Sequence, residues 1–124
     1  QNEETMTKIF KECLGDRIKD VKITDKLVDS PACLSTEHGA MTIRMERYLY
    51  EQKQLPKMSA KILEINPEHT LIKTILNNYQ QSNKSISEKD KDLIEIIYDI
   101  SCLTSGDFIA TPNDFAKRVL KIIE

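Results

Sequence analysis

The sequence predicts an α+β fold, a small three-stranded sheet packed with helices. Three observations carry that reading. Segments 18–23, 32–34 and 57–65 are short and β-prone, while apolar stripes at helical spacing run through most of the remaining chain. The two kinds do not alternate strictly, as a wholly parallel sheet would require. Two punctuated stretches, 27–36 and 62–69, join extended apolar runs to residues that fix the backbone.

Taken in order, Met6, Ile9, Phe10, Cys13 and Leu14 recur at helical spacing over 5–14, and Gly15 follows as a C-cap. Ile18-Lys19-Asp20-Val21-Lys22-Ile23 mixes apolar and polar residues as a half-buried strand does. Pro31 precedes a second β-prone run from Ala32 to Leu34, and 57–65 supplies the third, with Ile62, Leu63 and Ile65 as its apolar positions. At the end of that strand Asn66 is a helix cap and Pro67 a first helical residue. The helix from His69 to Gln81 carries Leu71, Ile72, Ile75, Leu76 and Tyr79. A polar loop, Gln80-Gln81-Ser82-Asn83-Lys84-Ser85, ends it. Ser85 with Glu88, or Ser87 with Asp90, opens the next helix, and Gly106 closes it. Thr111, Pro112 and Asp114 form the N-terminal signature of the last.

The chain of 124 residues reads as one domain, 1–124, with an α+β portion over 1–81 and a helical pair over 85–124. It does not begin with Met and reads as a piece of something longer. Apolar residues make up 40% and charged residues 31%, with a net charge of −2 and the signs interspersed. Nucleic-acid binding wants a concentrated basic face, so that class is not expected. No run approaches the roughly 20 apolar residues of a membrane span. Cys13, Cys33 and Cys102 are odd in number and widely spaced, which points to inert buried thiols rather than disulfides or zinc. His38 and His69 have no second ligand at metal spacing. His69 is expected to hydrogen-bond locally. No catalytic, cofactor-binding or metal-binding residue is assigned.

Two features ask for a partner. Leu93, Ile94, Ile96, Ile97, Tyr98, Ile100 and Leu103 form a stripe wider than one neighbouring helix covers, and Phe115, Val119, Leu120, Ile122 and Ile123 extend it. Each Leu or Ile buried is worth about 1.5–3 kcal/mol, so the excess needs a cover. That cover is either the chain's own sheet or a second copy making a four-helix arrangement. The segment 39–52 is also helix-like. At about 100° per residue, Met41, Met45, Tyr48 and Leu49 share one face and Ile43 and Tyr50 the opposite one. Either both faces are buried, or the flexible, polarizable Met face binds varied apolar sequences.

The order of these segments resembles the C-terminal domain of the ninety-kilodalton heat-shock chaperones, most closely their bacterial form. The resemblance rests on Leu14-Gly15-Asp16-Arg17-Ile18-Lys19-Asp20-Val21, Leu27-Val28-Asp29-Ser30-Pro31-Ala32 and Leu63-Glu64-Ile65-Asn66-Pro67-Glu68-His69. It includes the closing Asn113-Asp114-Phe115-Ala116-Lys117-Arg118-Val119-Leu120 and spans nearly the whole chain. The resemblance implies a homodimer whose last two helices, 85–124, join in a four-helix bundle. Leu93, Ile96, Ile97, Ile100, Leu103, Phe115, Val119, Leu120, Ile122 and Ile123 would line that interface. It also implies a projecting helix at 39–52 that contacts unfolded or partly folded client proteins through Met41, Met45, Tyr48 and Leu49. ATP and magnesium would belong to another domain of the parent, and the location would be cytoplasmic. The closing Lys121-Ile122-Ile123-Glu124 lacks the acidic pentapeptide that recruits helical-repeat cochaperones to the eukaryotic cytosolic members. Two other readings remain: a stand-alone adaptor gripping a partner helix beside Met41 and Met45, and a hydrolase using Cys33 or Cys102.

Overall fold

The computed structural model describes residues 2–37 and 41–124. Helix α1 (Asn2–Leu14) leads through a 3₁₀ turn at Gly15–Arg17 into β1 (Ile18–Ile23). Then come β2 (Ala32–Ser35), α2 (Ile43–Glu51), β3 (Lys61–Ile65), α3 (Thr70–Gln81), α4 (Glu88–Thr104) and α5 (Pro112–Ile123). The sheet has the order β1-β3-β2, with β3 parallel to β1 and antiparallel to β2. The fold is therefore α+β with a mixed three-stranded sheet and five α-helices among the described residues.

Local signals explain most boundaries. Gly15 takes a φ of +59°, the left-handed turn that stops α1 at the expected residue. The helix begins earlier than its apolar stripe, at Asn2, with Glu3 and Glu4 favourable in the first turn. Ser87 caps α4 by accepting from the Asp90 amide at 3.1 Å, whereas Ser85 exchanges hydrogen bonds with Ser82. Pro112 opens α5, but the Thr111 side chain makes no capping bond.

Three boundaries differ from expectation, each for a visible reason. The third strand starts at Lys61, not Lys57, because Ser59 is turned aside to bond Glu46 through both its amide and its hydroxyl. Asn66 does not cap α3. It caps a single turn, its Oδ1 accepting from the Glu68 amide at 3.0 Å. Its buried amide group ties β3 to the Leu27 and Ser30 carbonyls, and the α3 cap falls to His69, whose Nδ1 accepts from the Leu71 amide at 3.1 Å. The helix expected over 39–52 spans Ile43–Glu51, with Thr42 as its cap. Residues 39 and 40 of that expectation, and His38 before it, lie outside the described residues.

Side-chain alternation sets what each face of the sheet does. Val21, Ile23, Leu63, Ile65, Ala32 and Leu34 are paired across the strands and point one way. Against them pack Met6, Ile9, Phe10 and Leu14 of α1, Ile72, Ile75, Leu76 and Tyr79 of α3, and Ile94, Ile97 and Cys102 of α4. Ile18 is three residues from Val21, which in a regular strand would put them on opposite faces. A register shift between Ile18 and Asp20 corrects this, and both side chains are buried. The other face carries Asp20, Lys22, Cys33, Ser35, Ile62 and Glu64 by register, and is largely polar. Lys61 is in phase with Leu63 and Ile65, so an ammonium enters the helix-covered side at the end of the sheet.

Candidate functional site

The entry of Lys61 decides how α2 is mounted. Its ammonium pairs with Glu46 and also donates to the Ser59 hydroxyl at 2.8 Å. Both charged side chains are almost wholly covered. Burial alone would raise the Glu46 carboxyl, but hydrogen bonds from Lys61 and Ser59 outweigh it and hold the group below its ordinary value. The inward stripe of α2 is then Ile43, Glu46 and Arg47, spaced i, i+3 and i+4, and Tyr50 continues it at i+7 into solvent. Arg47 is half-buried, its guanidinium 4.0 Å from the Phe108 ring centre and its Nε 3.4 Å from Asp107 Oδ1.

The outward side sets apolar side chains beside the exposed Arg44 and Glu51. Met45 is 50% exposed and Tyr48 58%, with Met41 exposed beside them. Leu49 is half-buried at the margin. Met41 precedes the Thr42 cap and so stands at the start of the helix rather than on it. There it lines, with Glu46, Ser59, Lys61 and Ile62, a hollow of ≈ 210 Å³. Thus α2 turns two charges, Glu46 and Arg47, inward and leaves Met45 and Tyr48 in solvent, with Arg44 and Glu51 exposed as well. A buried charge or an exposed apolar patch is the informative departure from ordinary globular surface, and here both occur on one helix.

A second apolar region lies on α4 and α5. No residue of α5 is fully buried. Phe115, Val119 and Ile122 are half-covered, while Leu120 is 60% and Ile123 74% exposed. Ile100 and Leu103 of α4 are exposed as well. Of the residues expected to face a second copy, Ile96 and Ile97 are buried within this chain, Ile97 as part of the main core. Leu93 is half-buried against that core. Charges again do part of the fastening. Arg118 stands 4.0 Å from Asp92 and 3.9 Å from Asp99, and Lys121 stands 3.4 Å from Asp92.

Of the three thiols expected to be buried, Cys102 is, whereas Cys13 and Cys33 are half-buried. Burial pushes Cys13 and Cys33 above the ordinary cysteine value, and pushes Cys102 up to about 11. A nucleophilic cysteine needs the opposite shift. Among the described residues no group of three or more His, Cys, Asp or Glu side chains could hold a metal ion. Among the same residues no helix is long and apolar enough to cross a membrane. Sequence reasoning missed Glu46, Arg47, Lys61, Asp107 and Phe108. The signal was available for two of them, since Glu46 and Arg47 share a helical face with Ile43.

Comparison with known proteins places this architecture. The family model for Hsp90 protein matches residues 1–124. The chain is 45% identical over 119 residues to Chaperone protein HtpG of Rickettsia canadensis, covering 96% of this chain and 18% of that protein. It is 43% identical over 121 residues to the HtpG of Rickettsia bellii, covering 98% of this chain and 19% of the relative. The chain therefore spans about a fifth of the length of these relatives. With the family match running from end to end, the chain belongs to the Hsp90 family of chaperones and is an HtpG-like segment of it.

Proposed function

We propose that this chain is the homodimerisation and client-contact portion of an ATP-driven chaperone. The observation that carries the reading is the reversed mounting of α2, which spends buried charge to keep Met41, Met45 and Tyr48 in solvent. Unfolded segments offer varied apolar side chains, and flexible methionines suit them. Affinity would be weak, and the parent's cycle of opening and closing would set capture and release. The exposed side chains of Ile100, Leu103, Leu120 and Ile123 support an antiparallel α4–α5 pair docking on its twin in a four-helix bundle. ATP and magnesium would act in another domain of the parent, and the setting would be the cytoplasm.

One experiment with two arms tests this. Sedimentation at several concentrations should show a dimer that Leu120→Asp converts to a folded monomer. Binding of a labelled, permanently unfolded protein should weaken in Met45→Asp while unfolding stability is kept. A wild-type chain that stays monomeric at every concentration removes the tether. Collapse of the fold in Met45→Asp removes the client surface.

A further inference from the structure

One buried apolar side chain, Ile43, is little to fix how a nine-residue helix sits. Beside it and the half-buried Leu49, the polar attachments of α2 lie on two flanks. Glu46 holds it to Lys61 and Ser59 at the end of the sheet. On the far flank Arg47 reaches the connection between α4 and α5. Its guanidinium lies over two rings, 4.0 Å from the centre of Phe108 and 5.7 Å from that of Tyr50. Its Nε is shielded from solvent without a hydrogen bond, and its nearest charges are Asp107 at 3.4 Å and Glu51 at 3.9 Å. Arg44, one turn earlier, packs on Gly106, where a Cβ would come within 2.6 Å of its Cγ. Gly106 also needs its φ of +93°, so this seat admits glycine alone.

We propose that Arg47 is a positioning residue for the client surface. It seats α2 on the α4–α5 connection and thereby fixes the angle at which Met45 and Tyr48 are presented. The proposal rests on the client-contact reading above. A planar guanidinium stacks on the Phe108 ring while its Nε faces Asp107, which a lysine ammonium cannot do. The same connection joins the two helices proposed to dimerise, so the presentation of one surface and the geometry of the other share these residues.

The test compares Arg47→Ala, Arg47→Lys and the milder Asp107→Asn with wild type in the full 124-residue chain. Amide exchange is followed over 43–51, with the Leu63 and Ile97 amides as internal reference. Binding is followed with labelled lysozyme that has been reduced and carboxymethylated, a probe that stays unfolded. Arg47→Ala is expected to speed exchange in α2 about tenfold without moving the reference amides. Probe binding falls several-fold in the same variant, although no probe-contacting side chain has changed. Arg47→Lys restores neither, and Asp107→Asn shows the same pattern in smaller measure. Unchanged α2 protection in Arg47→Ala overturns the proposal, as does full recovery in Arg47→Lys or loss of the reference protection in all three variants. Failure of the client reading looks different. Met45→Asp then binds the probe as wild type does, while the exchange data still decide the role of Arg47.

Discussion

Helices α3 and α2 are both amphipathic and are mounted opposite ways round. Helix α3 sends Ile72, Ile75, Leu76 and Tyr79 into the core and leaves Lys73, Asn77 and Asn78 outside. Helix α2 sends Glu46 and Arg47 inward and leaves Met45 and Tyr48 outside. Helix α5 stands between them, half-covered on α4 and fastened by Arg118 and Lys121 to Asp92 and Asp99, with Leu120 and Ile123 outward. The difference separates two kinds of adhesion. Apolar burial builds the centre, whereas charge fastens the peripheral helices, whose outward apolar side chains stay in solvent.

The sharpest way to break this comparison is to truncate one apolar side chain in each helix. Ile72→Ala is expected to cost about 2–5 kcal/mol, since Ile72 is completely enclosed and the site cannot close over the loss. Met45→Ala should fall within about 0.5 kcal/mol of wild type, as exposed positions do. Urea unfolding of both variants measures the gap. Equal costs would mean that α2 is core after all.

The next largest effect tests the charged fastening. Lys61→Met leaves Glu46 covered and without its cation, and should cost about 3 kcal/mol, whereas Glu46→Leu together with Lys61→Met recovers much of it. Acid titration of stability gives the same answer independently. The folded-state value of Glu46 lies below the unfolded one, so its contribution is complete above the ordinary 4.5 and is lost as pH falls through the folded value. A Glu46→Gln variant should therefore lose less stability than wild type across that acid window. If both chains lose stability in parallel there, the pair does not hold α2.

How much of this was legible beforehand follows from what periodicity encodes. The α+β class, the stop at Gly15 and the Ser87 cap came from local chemistry, which acts within a few residues. The apolar face of α2 was also legible as a pattern. Its direction was not, because a helical stripe says which residues lie together and not which side meets the protein. That choice was made by Lys61, fifteen residues after Glu46, and by Asp107 and Phe108, some sixty residues after Arg47. The start of β3 was misplaced for the same cause, since Ser59 answers to Glu46 rather than to its neighbours in sequence. Likewise the α4 stripe shows which residues lie together but not which of them the chain itself covers: Ile96 and Ile97 are buried, whereas Ile100 and Leu103 are exposed.

The smallest effect separates the two charged fastenings from each other. Asp99 of α4 is covered, its Oδ2 has no hydrogen bond, and Arg118 comes no closer than 3.9 Å. Burial raises its carboxyl above the ordinary 3.8, with Arg118 pulling the other way and Glu95 adding to the rise. The sign is thus opposite to that of Glu46. Between the unfolded and folded values the native chain holds more protons, so stability falls as pH rises through that window. Asp99→Asn keeps the shape and removes the cost of a covered charge. It should stabilise the chain at neutral pH by a small amount, within about 1 kcal/mol, and the gain should vanish in acid where Asp99 is already protonated. Thermal unfolding of the two chains at neutral and acid pH measures it. A loss of stability at neutral pH instead would show that the Arg118 pair outweighs burial, and that α5 is fastened as firmly by charge as α2 is.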